Sequence, residues 1–101
     1  MDMSQNGLQF FSWDEDKEIT NEKKHGVSFR EAVSVFKDPN ILIKRDYDHS
    51  YDEDRFIIIG LSEKLRLLVV CHCYRESDTV IRIISARKAT LREGAEYRGG
   101  L

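Results

Sequence analysis

The stretch RFIIIGLSEKLRLLVVCHCYRESDTVIRIISA, residues 55–86, decides the fold. It holds three β-rich runs, 55–61, 65–74 and 79–86, separated by the short polar segments 62–64 and 75–78. Connections this short join antiparallel neighbours, since a parallel pairing needs a crossover of roughly a dozen residues or more. The runs therefore read as a meander, and a short strand candidate at 41–44 raises it to about four strands. Residues 56–59 and 67–71 are apolar at every position, so both faces of those strands must be covered. Helices cover one face; the other is left to the last helix or to a second chain.

Outward from the meander the signals turn helical. Phe10, Phe11 and Trp13 make an apolar entry, read as a short strand. Asp14 then offers an N-cap, Glu15, Asp16 and Glu18 suit the positive end of a helix, and Lys23, Lys24 and His25 suit its negative end before Gly26 stops it. The first helix thus spans 14–25. Ser28 and Glu31 have the spacing of a capping box, Val27 is placed as a hydrophobic staple, and Pro39 ends a second helix over 29–37. Residues 46–54 form an acidic loop carrying Tyr47, His49 and Tyr51. Thr90 caps a closing helix to about residue 98, in which Gly94 costs roughly 1 kcal/mol relative to Ala. The class is α+β: two N-terminal helices, an antiparallel meander of about four strands, and a C-terminal helix. One domain is expected over 1–101, with 1–10 and 98–101 peripheral.

Composition excludes several classes. The 101 residues are 41% hydrophobic and 34% charged, with 16 basic and 18 acidic side chains and a net charge of −2. This is neither a disordered chain nor a polybasic nucleic-acid binder. The charge is uneven, however: residues 1–60 hold 8 basic against 13 acidic groups, and 80–101 hold 5 against 2. A basic back fits either an anionic ligand or a solvated face. No secretory signal is visible at 1–9, and the longest apolar run is far short of a membrane span. Cys71 and Cys73 flank His72; alternation puts the thiols on one strand face and the imidazole on the other, which argues against both a disulfide framework and a metal site.

A series of blocks then runs through the chain. It opens with Phe11-Ser12-Trp13-Asp14 and Lys17, then Lys24-His25-Gly26-Val27-Ser28-Phe29 with Glu31-Ala32, then Phe36-Lys37-Asp38-Pro39. Asp48-His49-Ser50 follows, then Glu53-Asp54-Arg55 ending at Ile59-Gly60, and Leu68-Val69-Val70 with His72. The block Ile81-Arg82-Ile83-Ile84-Ser85-Ala86-Arg87-Lys88-Ala89 is followed by Glu93 and Tyr97. Over residues 11–97 this series resembles the BrnT family, the toxin half of a bacterial type II toxin–antitoxin pair. Gly94 departs from it, and 1–10 has no counterpart in it. The resemblance implies a RelE-like ribonuclease of the bacterial cytoplasm that needs no cofactor. It also implies a BrnA-type antitoxin, a ribbon-helix-helix DNA-binding protein that neutralises the toxin and represses the operon with it. Operator DNA is then reached only through the antitoxin, and the toxin is a dimer within a heterotetramer.

Metal-free RNA cleavage needs a base for the 2′-hydroxyl proton, an acid for the leaving oxygen, and cations for the phosphate. Arginine suits the last task through its bidentate fork. The catalytic candidates are Arg55, His72, Arg82 and Arg87, and the RNA-binding candidates are Lys24, His25 and Lys88. Arg82 interrupts an apolar strand, so it either serves a cleft or is paired, with Glu53 or Glu93 as partner. Arg55 reads equally as a site residue or as the partner of Glu53. His72, with Tyr74 on the same side and Arg82 on the next strand, reads either as a base or acid or as a satisfied core histidine. His25 is also a helix-end charge, His49 a solvated loop residue, and Trp13 a core residue. A second hypothesis is a non-catalytic interaction module whose acidic front meets the basic segment of a DNA-binding partner.

Overall fold

A computed structural model describes residues 2–6, 9–50 and 53–99. Tyr51 of the acidic loop and Gly100 lie outside the described residues. The elements in chain order are β1 (Asp2–Asn6), β2 (Gln9–Trp13), α1 (Glu15–His25), α2 (Phe29–Ser34) continued by a 3-10 turn (Val35–Lys37), β3 (Leu42–Arg45), a second 3-10 turn (Tyr47–His49), β4 (Phe56–Leu61), β5 (Leu67–Arg75), β6 (Val80–Lys88) and α3 (Leu91–Gly99). No helix among them is long and apolar enough to cross a membrane.

The six strands form one sheet in the order β1-β2-β6-β5-β4-β3. β3 to β6 are an antiparallel meander, with the short turns read from residues 55–86. The N-terminal segment extends it: β1 and β2 form a hairpin, and β2 docks parallel on β6 through Phe10–Val80, Phe11–Ile81 and Ser12–Arg82. The sheet is thus mixed and larger than the expected four strands. A parallel partner supplied by the chain's own start has no local signal, because its register is set by burial of Phe11 and Trp13 rather than by a turn.

Both N-terminal helices start as their caps dictate. Asp14 accepts from the amides of Asp16 and Lys17 at 2.9 and 3.3 Å, and Gly26 takes the left-handed conformation (φ 70°) that ends α1. Ser28 accepts from Glu31 N at 3.0 Å. The second half of that expected capping box is absent. The Glu31 side chain, 1% exposed, accepts instead from Ser62 Oγ at 2.7 Å and from the Arg66 guanidinium. A buried carboxylate needs a charged partner more than a cap needs its second bond. The Arg66 fork holds Glu31 below the usual carboxylate range.

The helical layer covers one sheet face. Phe11, Trp13, Val27, Phe29, Ala32, Val33 and Val35 pack there on Ile58, Leu68, Val70, Ile81, Ile83 and Ala86. The last helix covers part of the other face: Tyr97 packs with Ile59 and Val69, flanked by Leu42, Ile57 and Leu67. Two polar ties hold α3 there. Tyr97 donates to Asp38 Oδ2 at 2.6 Å, which also accepts from Leu61 N at 2.8 Å, and Lys44 pairs with Glu96. On the opposite, helical face Gly60 permits the close approach of the 3-10 turn Val35–Lys37, since a Cβ there would meet Val35 Cγ1 at 2.7 Å. Of the two covers expected for the face that Tyr97 packs on, α3 supplies one.

One irregularity organises the site. In the β5–β6 pairing Cys71 faces Ser85 and His72 faces Ile83, so Ile84 is an extra residue. The bulge lets Ile81, Ile83 and Ala86 all face the helices and turns Arg82, Ser85 and Arg87 to the opposite face. Past Arg82 the side of β6 that β2 occupied has no further strand pairing among the described residues, and the Asn21 side chain takes that place. Its amide donates to Ala86 O at 2.8 Å and to Val27 O at 3.0 Å, and its oxygen accepts from Ala86 N at 3.1 Å. Asn21→Ala is expected to destabilise the fold by about 1–3 kcal/mol, because three buried backbone groups lose their partner. A denaturant titration checks this; an unchanged midpoint would mean that the edge is held by packing alone.

Candidate nucleic-acid interface

On the sheet face that α3 leaves open lies a cleft of about 230 Å³, lined by Asp46, His49, Arg55, Ile57, Val69, Cys71, Ile84, Ser85 and Arg87. The strand register explains this set: Ile57, Cys71 and Ser85 are cross-strand partners, as are Val69 and Arg87. A groove of about 340 Å³ adjoins it across the same bulge, lined by Asp16, Lys17, Thr20, Asn21, Lys24, His25, Ile84 and Ser85. Ile84 and Ser85 thus form the ridge between a cleft with two arginines and a groove with two lysines and a histidine.

The sequence candidates sort as follows. Arg55 and Arg87 meet in the cleft, and Lys24 and His25 meet in the adjoining groove. Arg82 is turned to the same sheet face as Arg87, opposite Cys73 in the register. Its charge also reaches the Asp14 carboxylate, which the Lys17 and Asp16 amides already hold low. Lys88 pairs with Leu68, a helical-face position, so it leaves the sheet on the side away from Arg87 and is not brought into the cleft.

His72 is the clearest displacement. The expected juxtaposition with Arg82 is absent, because Cys73 faces Arg82 while His72 faces Ile83 in the helical core. The imidazole is fully buried against Phe36, with centroids 5.0 Å apart, and against Phe56 and Tyr74. Burial pushes its pKa down to about 4. The thiols take the other face, where the Cys71 Sγ lies 4.0 Å from Asp46 Oδ2; burial pushes Cys71 up to about 11.

The anticipated ion pairs are redistributed. Glu53 binds Arg75 at 3.0 Å rather than Arg55 or Arg82. Glu93 binds Arg87 through two bonds of 2.7 and 2.8 Å. Glu93 also completes a capping box with Thr90: its amide donates to Thr90 Oγ1 at 3.1 Å, and its carboxylate accepts from Thr90 N at 2.9 Å. The Arg87 bond, with those from Thr90, holds Glu93 down at about 2. Arg87 thereby links the cleft to the start of α3. Arg55 makes no ion pair among the described residues, and it lines the cleft. Its backbone is fixed, with N donating to Ser50 Oγ at 3.0 Å and O accepting from Asp46 N at 2.8 Å.

Sequence reading left out one residue of the cleft and one of the groove. His49, treated as solvated, places Nδ1 3.0 and 3.1 Å from the two carboxylate oxygens of Asp46. The available signal was an Asp and a His three residues apart in one turn. Lys17, quoted only within a block, joins Lys24 one helix face along, at i and i+7.

The cleft with Arg55 and Arg87 thus lies on one face of an α+β sheet whose other face the N-terminal helices seal. The same fold occurs in the 1.1 Å crystal structure of the Brucella abortus ribonuclease toxin BrnT, with a TM-score of 0.60 and 24% identity over 79% of this chain and 95% of that one. No curated protein matches the chain. The family model described as the ribonuclease toxin BrnT of type II toxin–antitoxin systems matches residues 13–93, and the chain belongs to that family. Membership implies an antitoxin partner and an RNA substrate. The β1 strand and most of β2 lie ahead of the matched span.

Proposed function

We propose that the chain is a RelE-like endoribonuclease toxin that arrests growth by cleaving RNA without a metal. A cognate ribbon-helix-helix antitoxin of the BrnA type neutralises it and carries the pair to operator DNA, with two toxin copies in a heterotetramer. The observation that carries the reading is the convergence of Arg55 and Arg87 in one cleft with Lys17, Lys24 and His25 in the groove beside it. An RNA strand crossing the Ile84–Ser85 ridge would meet cations on both sides. Arg55 binds the scissile phosphate, Arg87 supports it from the start of α3, Arg82 extends the cationic face, and Lys24 and His25 hold the flanking backbone. His72 has no part in this chemistry, and Lys88 stands outside the cleft.

The test is expression of the chain alone and together with the product of the neighbouring reading frame, alongside cleavage of RNA by purified protein in excess chelator. Growth arrest relieved by the neighbour, with chelator-resistant cleavage, is the expected result. Folded protein that arrests growth while RNA stays intact would sink the nuclease reading, and no arrest on expression alone, with tight complex formation, would favour the interaction module.

A further inference from the structure

We propose that His49, oriented by Asp46, is the general base of the cleft. This rests on the RNA-cleavage reading above and adds the proton-transfer group that reading lacks. The 3-10 turn Tyr47–His49 is tied at both ends. Asp46 N donates to Arg55 O at 2.8 Å, and Ser50 Oγ donates to Asp46 O at 2.6 Å while accepting from Arg55 N at 3.0 Å. The turn and Arg55 are therefore one rigid unit. Within it the Asp46 side chain is only 10% exposed and that of His49 is 64% exposed. A carboxylate that accepts from Nδ1–H fixes the tautomer and leaves the Nε2 lone pair on the open side, in the cleft that Arg55 and Arg87 line.

The step balances without a further cofactor. The 2′-oxygen forms a bond to phosphorus as its proton passes to Nε2. The bond from phosphorus to the 5′-oxygen breaks, and that oxygen takes a proton from water. The products are a 2′,3′-cyclic phosphate, a 5′-hydroxyl and an imidazolium that the Asp46 anion stabilises; the imidazolium then returns its proton to the hydroxide left by that water. The arginines balance the charge that grows on the phosphoryl oxygens. The charged and titratable groups facing His49 are Asp46 and Asp48 from its own turn, Arg55 ahead of β4, Cys71 on β5, and Arg87 on β6, which Glu93 neutralises. Cys71 is the competing base, and its raised thiol pKa keeps it protonated near neutral pH.

Single-turnover cleavage by wild type, His49→Ala and Asp46→Asn over about pH 5–9, with binding of a non-cleavable 2′-deoxy analogue, tests the proposal. His49→Ala should lose about 10²–10⁴-fold in rate, keep its affinity for the analogue, and regain part of the rate with added imidazole. Asp46 is the positioning residue. Without the carboxylate the ring is no longer held in one tautomer, so Asp46→Asn should lower the rate while keeping affinity for the analogue, and Asp46→Glu should regain part of it. A folded His49→Ala that cleaves at the wild-type rate, or that imidazole does not rescue, overturns the proposal while the nuclease reading stands. Wild type that leaves RNA intact overturns both.

Discussion

Arg55→Ala is expected to slow RNA cleavage by about 10²–10³-fold and to abolish growth arrest, with little change in melting temperature. The expectation follows from how differently the two cleft arginines are held. The Arg87 fork is already filled by Glu93, so a phosphate arriving there must share it. Arg55 carries no ion pair among the described residues, and its main chain is anchored by Ser50 and Asp46 rather than by its own guanidinium. Truncation at Cβ therefore removes the proposed phosphate ligand without orphaning a buried carboxylate. Arg55→Lys keeps the charge but loses the planar fork, so an intermediate rate is expected. Arg87→Ala should differ in kind: it frees Glu93, loosens the start of α3, and lowers stability and activity together. Matched measurements of cleavage rate and thermal midpoint on the three variants separate these outcomes. An Arg55→Ala protein with full activity would remove the phosphate role from the cleft.

The contrast between the two arginines also marks what the sequence could disclose. Helix starts and stops were legible because Asp14, Gly26, Ser28 and Thr90 act on their own neighbours within a turn, and the meander was legible because its connections are too short for a crossover. Facing was not. Strict alternation from Ile81 would send Arg82 and Arg87 to opposite sides of the sheet, and only the extra residue at Ile84 brings them to one. A bulge is set by competition between the two packed faces, which no local pattern on β6 records. The Glu31 side chain is a similar case. Its spacing from Ser28 fits a capping box, but Arg66, far along the chain, provides the stronger partner. Lys24 and His25 were identified from a motif, whereas their nearness to the arginine cleft depends on Asn21 docking α1 against the free edge of β6.

His72 gives the second large effect, and it concerns stability rather than chemistry. The ring is 0% exposed, its Nδ1 lies 3.4 Å from Val70 O, and its Nε2 has no partner among the described residues. Protonation would place an unsolvated cation among Phe36, Phe56 and Tyr74, which is why burial lowers its pKa from 6.5 to about 4. The folded protein therefore keeps this site neutral where the unfolded chain binds a proton. Stability from this source is complete above about pH 6.5 and falls as pH drops toward 4, by about 3 kcal/mol in all. His72→Phe replaces the ring with an apolar one and removes the titration. Its melting temperature should fall less than that of wild type between about pH 7 and about pH 5, and its RNA cleavage at neutral pH should be retained. His72→Ala should do the opposite, opening a cavity at a cost of about 2–4 kcal/mol and losing toxicity through unfolding alone. An alanine scan by itself therefore does not separate a buried structural histidine from a catalytic one, and the phenylalanine variant decides the question. A folded, acid-resistant His72→Phe protein that no longer cleaves RNA would return the imidazole to the chemistry.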